Sequence, residues 1–161
     1  TALMHRNPGV VGAALSDEKV SVELICDTFH VNPGLYKMVH KLKGDKLCII
    51  TDCMRAGGMP DGEYTLGGQP IFLKGIECRL ADGTIAGSVL KLNHAVRNVL
   101  NHTDLAVYEV FNMASLNPAK AIRCDNRLGS LETGKDANII IADENINIIR
   151  TIKKGRTIYE A

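Results

Sequence analysis

Three side chains and one loop in this sequence have the type and setting to do chemistry: Asp52, His30, Arg6 and the segment Asp82–Ser88. Asp52 closes the run Lys46-Leu47-Cys48-Ile49-Ile50-Thr51, and Gly57, Gly58, Pro60 and Gly62 follow it. A continuous apolar run suits a strand buried on both faces, as in a parallel sheet. An acid at the C-terminal end of such a strand stands where α/β barrels place their reactive groups. Exposed carboxylates are ionised at neutral pH, so one there can take a proton from water or ligate a metal. The plainer reading is a turn residue, since Asp commonly follows strands for that reason alone.

His30 follows the preceding apolar run and would share a rim with Asp52; a loop histidine without a role is the alternative. Arg6 lies in His5-Arg6-Asn7-Pro8-Gly9. A guanidinium suits two-point recognition of phosphate or carboxylate, although a lone loop arginine is commonly just solvated. Asp82-Gly83-Thr84-Ile85-Ala86-Gly87-Ser88 is a run of mostly small residues ahead of a predicted helix. Such a run leaves backbone N–H groups open to a ligand, or is simply a loop with a cap. No phosphate-loop, dinucleotide-binding or G-x-S-x-G serine-nucleophile pattern occurs.

Metal ligation is not readable from spacing. His5, His30, His40, His94 and His102 form no H-x-H or H-E-x-x-H, and no complete zinc site can be assembled. His40, His94 and His102 read as helix-surface residues. The five cysteines make no C-x-x-C, and Cys26 and Cys48 lie in apolar runs. That usage fits a reduced, cytoplasmic chain.

The elements that must position these residues follow from periodicity. Val20–Cys26 reads as a strand, Leu35–Leu42 as an amphipathic helix with apolar positions 35, 38, 39 and 42, and Lys46–Thr51 as a second strand. Strand, helix and strand in this compass make a βαβ unit with parallel strands. Short segments around Tyr64–Leu66, Ile71–Leu73 and Cys78–Leu80, separated by Gly-containing turns, predict antiparallel hairpins. Helices are predicted after Ser88 as N-cap, from Leu105, and from Asn117-Pro118, with the Pro at the first helical position. Asn138–Ala142, Ile148–Lys153 and Thr157–Tyr159 are predicted strands. The two β regions are expected to pair into one small sheet domain, and the first dozen residues to form a loop.

At 161 residues, 45% hydrophobic and 23% charged, the chain has the composition of a globular domain. Its formal net charge of +1 and lack of a basic stripe give no reason to expect nucleic acid or a membrane surface as partner. No apolar stretch approaches the roughly 18 residues of a membrane span, and Thr1–Ser16 has no signal-peptide core.

Taken together, several segments resemble the N-acetylglucosamine-6-phosphate deacetylase family of the amidohydrolase superfamily, specifically its C-terminal part. They are Arg6-Asn7-Pro8-Gly9 with Gly12-Ala13, Asp27–His30 with Pro33, Thr51-Asp52 with Ala56-Gly57, and Leu80–Ser88. Ala95-Val96-Arg97-Asn98, Met113–Ala119 and Gly129-Ser130-Leu131 with Gly134–Asn138 continue the match.

The resemblance implies an α/β fold: the C-terminal part of a (β/α)8 TIM-type barrel, plus part of a small β-sandwich. Residues 1–60 would be the last βα units, 61–83 a sandwich insert, 84–126 the C-terminal helices and 127–161 sandwich strands. It implies hydrolysis of N-acetylglucosamine 6-phosphate to glucosamine 6-phosphate and acetate by a homodimer. Asp52 would activate the attacking water and then protonate the departing amine. His30 would steady the acetyl carbonyl or sugar, Arg6 would reach the phosphate across the dimer interface, and Ile85, Ala86 and Gly87 would line the sugar site. A divalent metal, zinc or iron, is implied for the full-length enzyme, with a Glu and two His from earlier strands as ligands; none of these is in this chain.

Asn7 stands where the family usually has Glu, and Thr28 where a Gly is common. Without those metal ligands the isolated chain is expected to be inactive, and two barrel strands with open parallel edges are expected to leave it unstable, prone to aggregate or to complete itself with other copies. A dihydroorotase-like amidohydrolase and a non-catalytic sugar-phosphate-binding or interaction piece are the other readings. Arg6 and the Asp82–Ser88 loop weigh against the former.

Overall fold

Leu47–Ile50 forms the strand that the apolar run predicts, and it pairs in parallel with Val22–Ile25. In the computed structural model, which describes residues 3–161, the helix between these strands is Tyr36–Lys43. We label the elements α1 (Gly9–Ser16), β1 (Val22–Ile25), α2 (Tyr36–Lys43) and β2 (Leu47–Ile50). Then come β3 (Gly62–Leu66), β4 (Gln69–Lys74), β5 (Glu77–Leu80), α3 (Leu92–His102), α4 (Val107–Ala114) and α5 (Leu116–Ala121). The last three are β6 (Ile139–Ala142), β7 (Ile148–Lys153) and β8 (Arg156–Glu160). Thr1 and Ala2 of the expected 1–60 unit lie outside the described residues.

The chain is a mixed α/β structure. Its main core gathers Leu24, Cys26, Tyr36, Val39, Leu47 and Ile49 from the βαβ unit with Val96, Val99, Val110 and Met113 from α3 and α4. Helices thus cover β1 and β2, which explains why β2 has no polar residue. Leu47 and Ile49 are buried outright, each worth about 1.5–3 kcal/mol relative to exposure. A second, smaller core of Ala56, Ile71, Leu73, Cys78 and Ala86 sits under β4 and β5.

Three local expectations are corrected. The segment expected as an opening loop contains α1, entered through Pro8 and Gly9, whose φ of +60° a glycine accommodates. Ser88 does not cap α3: it is fully buried, its hydroxyl accepts from the Leu90 N–H at 2.9 Å, and the helix begins after Lys91. Helix α5 starts at Leu116 behind Ser115, so Pro118 is not its first residue. Asn117 instead is buried and donates from Nδ2 to the Leu47 carbonyl at 2.8 Å, which bolts α5 to β2.

The two β regions also do not share a sheet. Strands β3-β4-β5 form one antiparallel three-stranded sheet and β6-β7-β8 another, with no ladder between them among the described residues. Period-2 patterning predicts strands but not which strands meet. Here each hairpin pairs through its own tight turns, including Gly67-Gly68 and Lys154-Gly155. The C-terminal sheet is tied to α3 rather than to the other sheet: Arg97 donates from Nε to the Asn145 carbonyl at 2.7 Å, and Asn93 from Nδ2 to that of Ile146 at 3.1 Å.

Candidate active site

The parallel register sets the site. Ile25 is level with Ile50, so Asp27 and Asp52, each two residues further on, leave the sheet at the same edge. That shared edge is the rim expected for Asp52 and His30.

On the β1 side the rim is tightly built. Asp27 is buried, and its Oδ1 accepts the backbone N–H groups of Phe29 at 2.9 Å and His30 at 2.8 Å. Its Oδ2 lies 2.6 Å from His30 Nδ1. A carboxylate there holds a proton on Nδ1 and fixes the orientation of the ring. Between them, Thr28 has a φ of +68°, and its N–H donates to the buried Tyr36 hydroxyl at 3.0 Å. A β-branched residue in the left-handed region carries strain of about 1–2 kcal/mol, which the hydrogen bonds on both sides hold in place. Burial and then the nearby charge of Asp27 push the Cys26 thiol up to about 12, so it stays protonated. Burial also drives the Tyr36 phenol up to about 12, against a smaller lowering by the Thr28 N–H.

On the β2 side the rim is open. Asp52 is exposed with a φ of +47°, and its side chain makes no hydrogen bond or ion pair among the described residues. Its backbone is anchored instead. The Asp52 carbonyl accepts from the Ser88 N–H at 3.3 Å, and the Ser88 carbonyl accepts from the Met54 N–H at 2.9 Å. This bridge brings the end of the Asp82–Ser88 loop against the segment carrying Asp52.

Within that loop Ile85 is exposed and faces Arg79 in an isolated bridge, whereas Ala86 is buried and donates its N–H to the Cys78 carbonyl at 2.9 Å. Gly87 has a φ of +94°, and a Cβ there would stand 3.1 Å from Met54 Cε. Both the backbone angle and the close approach call for glycine.

Arg6 and His5 sit exposed at the tip of a tight turn closed by reciprocal hydrogen bonds between Met4 and Asn7. The following helix ends beside the end of α2, because buried Lys43 donates from Nζ to the Ala14 and Asp17 carbonyls at 2.9 and 2.6 Å. The two helices meet at that end, and among the described residues no hydrogen bond or ion pair joins Arg6 to Asp52, His30 or the Asp82–Ser88 loop. Of the remaining histidines, His94 and His102 are exposed as expected, but His40 is half-buried. An open hollow of about 560 Å³ lined by Arg55, Met59, Glu63, Tyr64 and Thr65 borders the loop after Asp52.

The chain resembles known proteins over most of its length. The amidohydrolase family model matches residues 15–158. The chain belongs to the amidohydrolase family. It is 42% identical over 153 residues to an N-acetylglucosamine-6-phosphate deacetylase of Lysinibacillus sphaericus, covering 94% of this chain and 39% of that protein. It is 41% identical over 148 residues to a putative N-acetylgalactosamine-6-phosphate deacetylase of Escherichia coli K12, covering 92% of this chain and 89% of that protein. The crystal structure of N-acetylglucosamine-6-phosphate deacetylase from Thermotoga maritima superposes with a TM-score of 0.93 at 34% identity, over 100% of this chain and 44% of that one. A Mycobacterium smegmatis deacetylase mutant in complex with N-acetyl-D-glucosamine-6-phosphate matches with a TM-score of 0.91 at 29% identity, over 98% of this chain and 42% of that one. The chain spans about two fifths of the length of most curated relatives it matches.

Amidohydrolases are generally metal-dependent. Among the described residues, no three of His, Cys, Asp and Glu come together to hold an ion. Asp27 spends both oxygens on its own hook. The described residues of this amidohydrolase chain therefore do not make a ligand set by themselves.

Sequence reading missed Asp27 and Tyr36 as parts of the site. The Asp-x-x-His spacing was the available signal for Asp27, because an aspartate can accept from N–H groups two and three residues on. Tyr36 gave no local signal.

Proposed function

We propose that this chain is the C-terminal portion of a metal-dependent amidohydrolase. Its reaction would be deacetylation of N-acetylglucosamine 6-phosphate, giving glucosamine 6-phosphate and acetate. The observation that carries the reading is the open carboxylate of Asp52, level with the Asp27–His30 hook on one parallel rim, in a chain so similar to such deacetylases.

Asp52 is the catalytic residue in this reading. It accepts a proton as water forms its bond to the acetyl carbonyl carbon. It gives that proton to the nitrogen as the C–N bond breaks, which releases the amine. The absence of a side-chain partner suits a group that must exchange a proton in each direction. His30, oriented by Asp27, accepts from a sugar hydroxyl through Nε2, or donates to the acetyl oxygen where Nε2 also carries a proton. Arg6 reaches the phosphate, across the interface of a homodimer. Ile85, Ala86 and Gly87 border the sugar, with Gly87 allowing close approach. The metal, zinc or iron, is held by residues outside this chain, and no step is drawn through it. A cytoplasmic location fits the phosphorylated substrate.

The Escherichia coli K12 relative, named for the galactosamine epimer, gives a second reading that differs only at the sugar's C4. Acetate release by the full-length protein, with each sugar phosphate and supplied metal, separates the two. Faster turnover of the gluco epimer upholds the first reading, faster turnover of the galacto epimer the second, and no release from either overturns both. Residues 1–161 alone are expected to release none.

A further inference from the structure

Arg79 sits on β5, outside the rim, yet it touches both the Asp82–Ser88 loop and the segment carrying His30. Its Nη1 donates to the Gly83 carbonyl at 2.8 Å, inside the loop, and the isolated bridge to Ile85 pairs the same residue with the loop's far side. Its guanidinium carbon lies 5.0 Å from the centroid of the Phe29 ring. That ring packs edge-on against His30, with centroids 5.4 Å apart. Glu77 fixes the remaining freedom, accepting from Arg79 Nε at 2.9 Å. The arginine thus spends one donor on orientation, one on the loop and its face on the aromatic ring beside His30.

We infer that Arg79 is a positioning residue: it fastens the Asp82–Ser88 loop to the Phe29–His30 segment and so sets the spacing between the sugar loop and the histidine. The planar fork is needed, because one lysine ammonium cannot sit over the ring while donating in two fixed directions. The inference rests on the reading of this loop as the sugar loop, but its contacts are testable without turnover.

The test compares wild type with Arg79→Ala, Arg79→Lys and Phe29→Leu in the full protein. Amide hydrogen exchange of Thr84–Ser88 and the ring resonances of Phe29 and His30 are followed. Arg79→Ala and Phe29→Leu are each expected to speed loop exchange roughly tenfold and to move the His30 ring signals, with β1 and β2 protection unchanged. Arg79→Lys should recover only part of the loss. In the metal-loaded enzyme, Arg79→Ala should raise KM for N-acetylglucosamine 6-phosphate about tenfold while kcat stays within threefold. Unchanged loop exchange and unmoved His30 signals in both Arg79→Ala and Phe29→Leu would overturn the inference. So would loosening confined to β3–β5, which would make Arg79 only a hairpin brace. Failure of wild type to turn over the sugar phosphate, with the exchange result intact, would instead overturn the functional reading.

Discussion

The two strand ends of the parallel sheet solve the same placement problem in opposite ways. After β1, Asp27 is buried and every oxygen is engaged; after β2, Asp52 is exposed and its carboxylate is unengaged among the described residues. The neighbouring cysteines repeat the contrast. Cys26, before Asp27, is buried and stays protonated, whereas Cys53, after Asp52, is exposed. One acid is spent on geometry, and the other is left available for chemistry. A carboxylate locked by three hydrogen bonds orients a neighbour well but exchanges protons poorly. A free one does the reverse and depends on its backbone for placement, here through the Ser88 bridge.

The largest expected effect tests the free acid. Asp52→Asn keeps the shape and removes the base, so kcat of the complete enzyme should fall by about 10²–10⁴. The thermal midpoint should stay within a degree or two, since nothing in the described structure leans on that side chain. A large drop in stability would show that the two acids are not divided in this way.

Asp27→Ala tests the spent one and should show mainly in folding. It leaves the Phe29 and His30 N–H groups without their acceptor, for a loss of about 2 kcal/mol in denaturant unfolding. The imidazole nitrogen shifts of His30 should also lose their single-tautomer pattern. Stability equal to wild type would break the comparison from this side.

Thr28→Gly sharpens it further, because the hook holds a β-branched residue at a φ of +68°. Removing that strain should stabilise the chain by about 1 kcal/mol, after allowing for glycine's extra freedom when unfolded. The shift of the urea midpoint measures it.

The smallest effect concerns the loop that meets the Asp52 segment. Asp82 accepts from the Thr84 N–H at 2.9 Å, and this hydrogen bond holds its carboxyl below the ordinary 3.8. The folded turn therefore binds that proton less readily than the unfolded chain. Its contribution is complete above about pH 4 and disappears as pH falls through the lowered folded value. The Thr84 amide should lose exchange protection, after correction for intrinsic rates, as pH falls below about 4, and Asp82→Asn should remove that dependence.

Much of the fold was legible because it is local. Four apolar residues ending at an acid, a helical stripe with Gly44 behind it, and glycine turns between short alternating runs each predict an element without knowledge of its neighbours. The family motifs carried the rest of the functional reading to Asp52 and His30. Ser88 shows where this stops. Its type suggested a cap, but its hydroxyl serves Leu90 and its backbone bridges to Asp52 and Met54, some 35 residues away in sequence. Asn117 is similar: expected at the start of a helix, it is a bolt from α5 to the Leu47 carbonyl.

The sequence by itself determined most of the elements, the acid and histidine that follow β2 and β1, and the family. These depend on periodicity and on residue types at short spacing, which the chain carries wherever it folds. Only the tertiary structure decided that Ile25 lies level with Ile50, that the two β regions stay in separate sheets, and that Arg79 reaches Phe29. Those outcomes depend on which distant backbone groups find each other once the apolar faces are buried. No local pattern encodes that choice.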